Sequence, residues 1–99
     1  MRNAVSRSYY AAFLYTRGKL TARRRFAPSG QDSVHRELIQ TLRSDTDAAM
    51  VQMGDLLDTM RVSRNRADYD LAWSPPASIA QYTVLGAQSI ITDLDRLFP

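Results

Sequence analysis

Largely apolar positions recur along this chain at three- and four-residue intervals, in four runs separated by breaks. In the first run Val5, Tyr9, Ala12, Phe13, Thr16 and Leu20 fall on one face of a helix. The pattern predicts a helix from about Asn3 to Arg25, ended by Pro28 and Gly30 of "APSG". A second helix carries Val34, Leu38, Ile39 and Leu42, with Ser29 and Asp32 at capping-box spacing ahead of it. A third follows "SDTD", where Ser44 and Asp47 repeat that spacing, and runs to about Tyr69. The paired prolines of "AWSPPA" then interrupt the pattern, because they cannot continue a helix. A fourth helix places Ile79, Tyr82, Gly86, Ile90, Leu94 and Leu97 along one side, with Ser78 and Gln81 as its capping box.

No stretch alternates as a strand does, and no repeat appears. The expected architecture is all-α: an up-down four-helix bundle over residues 1–99, one domain with short connections and antiparallel neighbours. The first helix begins almost at Met1 without a cap, so an upstream helix missing from this sequence is expected.

Composition narrows the function classes. The absence of cysteine excludes a disulfide framework, a thiol nucleophile and cysteine-bound zinc or iron–sulfur sites. No secretory leader and no bilayer-length apolar run is visible, so a soluble cytoplasmic protein with no membrane contact and no cofactor is expected. The net charge of +3 hides a split. Residues 1–43 carry nine cations against Asp32 and Glu37, and residues 44–99 carry four cations against eight aspartates. Such a split attracts phosphate to the first half, or draws the two halves together within a monomer or across a dimer.

The third helix holds the candidate chemistry. Met50, Met53, Leu57 and Met60 form an apolar seam, and the same stepping continues to Arg64, Ala67 and Leu71. An arginine on a buried seam is costly unless paired, and Asp68 stands one turn on. Arginine ahead of aspartate is the weaker order for such a pair, so helix stabilisation alone explains it incompletely. Asn65 and Tyr69 repeat the spacing on the neighbouring face. A seam of three methionines and one arginine is expected to bury poorly in a 99-residue monomer, which predicts a homodimer.

With these residues in view, two motifs resemble the HEPN domain family. "SRSYYAAFLYTRGKL" is similar to its Ser-Arg-x-Tyr-Tyr-Ala-x-Phe signature, and "RNRADYD" to the Arg-x-x-Ala-Asp-Tyr element of small stand-alone prokaryotic members. The resemblance implies a dimerising helical bundle in which an Arg-x4–6-His motif from each subunit meets at a cleft and cleaves RNA without metal. It assigns Arg64, Asn65 and Tyr69 to the catalytic position, with Asp68, Arg7 and Tyr10 as structural or orienting neighbours. The motif histidine would fall at Tyr69, Asp70 or Leu71, and none of these is histidine. RNA transesterification needs a base that titrates near neutrality; arginine cannot serve, and a phenol ordinarily titrates at about 10.

The single histidine, His35, lies among Val34, Leu38, Ile39 and Leu42, as a packed structural residue or a substitute base. Arg23, Arg24 and Arg25 are either an RNA-binding patch or a solvated helix end whose cations suit the macrodipole. Tyr9 and Phe13 are expected in the core, with Tyr10 on a neighbouring face. The resemblance also implies a prokaryotic toxin–antitoxin or defence system, with a nucleotidyltransferase as partner protein and RNA as ligand. The alternatives are a non-catalytic dimerising module, serving as antitoxin or scaffold, and a bare helical oligomerisation domain.

Overall fold

The computed structural model describes residues 2–99 as four helices: α1 (Arg2–Ala22), α2 (Val34–Arg43), α3 (Ala48–Tyr69) and α4 (Ala77–Leu97). The predicted faces of the first three are the buried ones. Val5, Tyr9, Ala12, Phe13, Thr16 and Leu20 face inward from α1, Leu38, Ile39 and Leu42 from α2, and Met50, Met53, Leu57 and Met60 from α3. The methionine seam buries completely within one chain, so the expectation that it buries poorly in a monomer does not hold; unbranched methionine fills the irregular space between helices.

The helix ends follow local chemistry, with differences from the expected caps. α1 stops at Ala22 because Arg24 turns left-handed (φ 57°), letting Arg25 N–H bond Leu20 O at 2.8 Å and Arg24 N–H bond Thr21 O at 3.0 Å. This is a Schellman ending with arginine where glycine is usual. Ser33 caps α2 and Asp47 caps α3, the latter accepting from Ala49 N–H at 2.9 Å. Ser29, expected to cap, instead binds the Glu37 carboxylate through its backbone N–H at 3.2 Å. α4 begins after Pro76 with no side-chain cap.

The helix directions correct the up-down expectation. α1 runs antiparallel to α3, since Ser6 meets Asp68 and Tyr10 meets Arg64. α2 and α4 are also antiparallel to α3: Arg43 reaches Asp55 at 2.8 Å while Arg61 approaches Ser33, and Gly86 abuts Met60. α1 and α4 consequently run side by side in the same direction, with Val5 near Ala80 and Lys19 3.2 Å from Asp95. α2 shares that direction because residues 23–33 return along the bundle, burying Phe26 on the way, before the second helix starts.

On α4 the expected Gly86, Ile90 and Leu94 are buried and Ile79 and Leu97 are half-buried against the core, but small residues share the face and Tyr82 leaves it. Ala80, Thr83, Gly86, Ala87, Ile90 and Leu94 are buried, whereas Tyr82 is exposed. Small residues win this face because the helices approach closely: a Cβ on Gly86 would lie 3.2 Å from Met60 Sδ. Gly54 serves the α2–α3 contact in the same way, where a Cβ would stand 3.0 Å from Leu42 Cβ and from Arg43 Cγ.

The charge split is partly resolved inside the chain. Lys19–Asp95, Arg25–Asp45, Arg43–Asp55 and Arg43–Asp58 each join the basic first half to the acidic second. Among the described residues, no helix is long and apolar enough to cross a membrane.

Candidate functional site

The antiparallel pairing of α1 and α3 carries the site. Tyr10 and Ser6 stand one turn apart on α1 and meet Arg64 and Asp68, one turn apart on α3. The Arg64 side chain is only 14 % exposed. Its Nη1 donates to Asn65 Oδ1 at 2.8 Å and its Nη2 donates to the Tyr10 hydroxyl. The guanidinium carbon lies 4.7 Å from the Tyr10 ring centre and 6.0 Å from that of Tyr69, within cation–π range. Arg64 Nε is 2.9 Å from Asp68 Oδ2, yet its N–H is not aimed at that oxygen and makes no hydrogen bond. The other Asp68 oxygen accepts from the Ser6 hydroxyl, and the carboxylate keeps 30 % of its surface in solvent.

The structure thus gathers Tyr10, Arg64, Asn65 and Asp68, with the largely exposed Tyr69 at the edge. Arg7 is exposed on α1 and joins none of these hydrogen bonds. Arg23, Arg24 and Arg25 lie at the opposite end of α1. Arg25 pairs with Asp45 at 2.6 Å and lies 5.2 Å from the Phe98 ring centre. Arg23 bonds Pro99 O and also packs on Phe98; all three side chains are exposed, with Arg23 and Arg25 held by these contacts.

His35 enters the neighbourhood from the start of α2. Its ring stacks on Phe13 with centroids 4.0 Å apart, and its Nδ1 lies 2.7 Å from the Tyr9 hydroxyl. Burial lowers the His35 pKa from its ordinary value, and Arg61, Arg64 and Arg17 push it the same way. Burial raises Tyr9 to about 12, against the pull of Arg61 and Arg64. The buried phenol therefore keeps its proton; where it donates that proton to His35 Nδ1, the neutral imidazole carries its own on Nε2.

Sequence reasoning named Arg64, Asn65, Asp68 and Tyr10, but not Ser6, Arg17 or Arg61 as members of this neighbourhood. It also missed Arg2, whose guanidinium donates to Ala67 O at 2.6 Å, Asp70 O at 3.0 Å, Leu71 O at 2.9 Å and Trp73 O. That side chain satisfies one open carbonyl in the last turn of α3, Ala67 O, and three in the segment that follows it. Only the basic character of α1 hinted at these roles; which arginine meets which partner is settled by helix directions.

The chemistry available is charge stabilisation by Arg64, hydrogen bonding by Asn65 and Tyr10, and an aromatic surface from Tyr10 and Tyr69. No imidazole lies on α3. Among the described residues, no group of three histidine, aspartate or glutamate side chains is placed to hold a metal. No protein-family model matches the chain, and no curated protein or solved structure matches it either. The HEPN resemblance therefore rests on the two motifs and the order of the helices.

Proposed function

We propose that this chain is a HEPN-type subunit of a prokaryotic toxin–antitoxin or defence system, one that binds RNA as a homodimer and cleaves it weakly or not at all. A nucleotidyltransferase is the partner protein this reading expects. The observation that carries it is the setting of Arg64: a mostly shielded guanidinium held by Tyr10 and Asn65 beside Asp68, with no histidine on its own helix. Such a group can hold and neutralise a phosphate, but it cannot take a proton from a ribose hydroxyl at neutral pH.

Labelled single-stranded RNA, incubated with purified protein in EDTA and also titrated for binding, tests this. Binding with little or no cleavage is expected. Robust cleavage that vanishes in a folded Arg64→Ala variant would instead make the chain a ribonuclease, and absence of RNA binding would leave the reading of a non-catalytic dimerising module.

A further inference from the structure

We propose that Arg17, Arg61, Arg64 and His35 form a binding site for one phosphate group of a single-stranded RNA backbone, at the junction of α1, the start of α2 and the second half of α3. This deepens the RNA-binding reading above and rests on it. Arg61 and Arg64 stand one turn apart on α3. Arg17 lies one turn beyond Phe13 on α1, and Phe13 is the ring on which His35 stacks. All three cations act on the same imidazole.

Arg64 has Asp68 beside it at 2.9 Å, but among the described residues no carboxylate comes within ion-pair distance of Arg17 or Arg61. Asp58, one turn before Arg61, is engaged by Arg43 at 3.4 Å. Arg61 Nε is buried with no hydrogen-bond partner, and its Nη2 has only a long contact of 3.5 Å with Ser33 Oγ. Arg64 Nε is likewise buried without an acceptor. A buried guanidinium N–H that lacks an acceptor is unfavourable, and an anion relieves it.

Tyr9 occupies His35 Nδ1, so with the phenol donating there the neutral imidazole offers Nε2–H as a further donor. The charged and titratable groups around it are Tyr9, Tyr10 and Arg17 from α1 and Asp58, Arg61 and Arg64 from α3. A phosphodiester suits this set: one negative charge on two free oxygens matches guanidinium forks. Unpaired bases have a place to stack beside it, since Tyr10 is 36 % exposed and Tyr69 76 % exposed.

The single histidine gives the test a direct signal. Its imidazole resonances are followed by NMR against pH in the full chain, with sodium sulfate and with a short oligouridylate, each at ionic strength matched by chloride. Both probes are expected to raise the His35 titration midpoint by about one pH unit. Arg17→Gln and Arg61→Gln are each expected to weaken oligouridylate binding about three- to tenfold; Arg17 is exposed, so its variant reports even where Arg61→Gln fails to fold. Tight RNA binding with an unmoved His35 would overturn this site while leaving the proposed function standing. A shift with sulfate and no RNA binding would overturn RNA as the source of the phosphate, together with that function.

Discussion

The Tyr9 hydroxyl stands 2.7 Å from His35 Nδ1, so a core tyrosine of α1 fixes the ring of the chain's one histidine at the start of α2. The pair couples two helices whose directions are parallel, and it sets two pH limits. The His35 pKa is lowered in the fold, so below about 6.5 the unfolded chain binds the proton more readily. Stability is expected to fall as pH drops through 6.5 toward 5, and the slope should flatten in His35→Gln. At the alkaline end, Tyr9 is raised to about 12, so its contribution is complete below about 10 and is lost as pH climbs from there. Urea melts across this range, on the parent and on Tyr9→Phe, check both limbs.

Arg64→Ala is expected to cost about 1–3 kcal/mol, less than the loss of a partner from a sealed ion pair. Asp68 keeps the Ser6 hydroxyl and partial solvent contact after the change, so its charge is not stranded. The double change Arg64→Leu with Asp68→Leu should recover most of the loss, since both sites border the apolar α1–α3 contact. Thermal melts of the two variants against the parent decide this; a double variant no better than the single would show that the Tyr10 and Asn65 contacts carry the stability.

Two glycines on helices should respond to alanine with opposite signs. At Gly54 the new Cβ meets Leu42 and Arg43 at 3.0 Å, so α2 must move from α3, at a net cost of roughly 1–2 kcal/mol. At Gly18 nothing lies within 4 Å, and the better helix propensity of alanine should stabilise α1 by about 0.5–1 kcal/mol. Chemical denaturation midpoints of the two variants provide the comparison.

Arg24 is strained where Arg23 and Arg25 are not, because it alone takes the left-handed conformation at the end of α1. Arg24→Gly should therefore raise stability by about 1 kcal/mol. Arg23→Ser and Arg25→Ser should lower it, through lost contacts with Phe98, Pro99 and Asp45. If the trio also holds RNA, replacing all three with serine will flatten the salt dependence of binding. Unchanged binding assigns them to the helix end alone.

Arg2→Ala should destabilise the end of α3 by about 1–3 kcal/mol, the range for hydrogen bonds from a charged donor. Arg2→Lys should restore little of it, because one ammonium cannot span carbonyls from Ala67 to Trp73. Amide exchange of residues 67–73 gives a local readout.

What the sequence made legible was set by period. The inward faces of α1, α2 and α3 follow from three- and four-residue stepping, because burial on a helix obeys its pitch. On α4 the same stepping holds for Gly86, Ile90 and Leu94. Tyr82 looks like a core residue there, but Ala80, Thr83 and Ala87, whose small size permits the close approach, take the inner positions. Helix direction was invisible because "RRRFAPSGQDS" reads as a short turn, whereas it runs back along the bundle. From the candidate site, Arg64–Asp68 was visible as a local i, i+4 pair. Tyr9–His35, Arg64–Tyr10 and the Arg2 clamp join residues far apart in sequence, and no periodicity reports such partners.

The parallel pairing of α1 with α4 has a consequence for the order in which the molecule is made. α2 and α3 are neighbours in sequence and can close on each other as soon as both have left the ribosome. α1 then docks on α3, yet Tyr15 and Lys19 still lack the Asp95 that they hold in the finished fold. That side of α1 waits for α4. Contacts of such long sequence separation form late and slowly. Until then the α1 surface that α4 covers stays open to chaperones or to a second nascent copy.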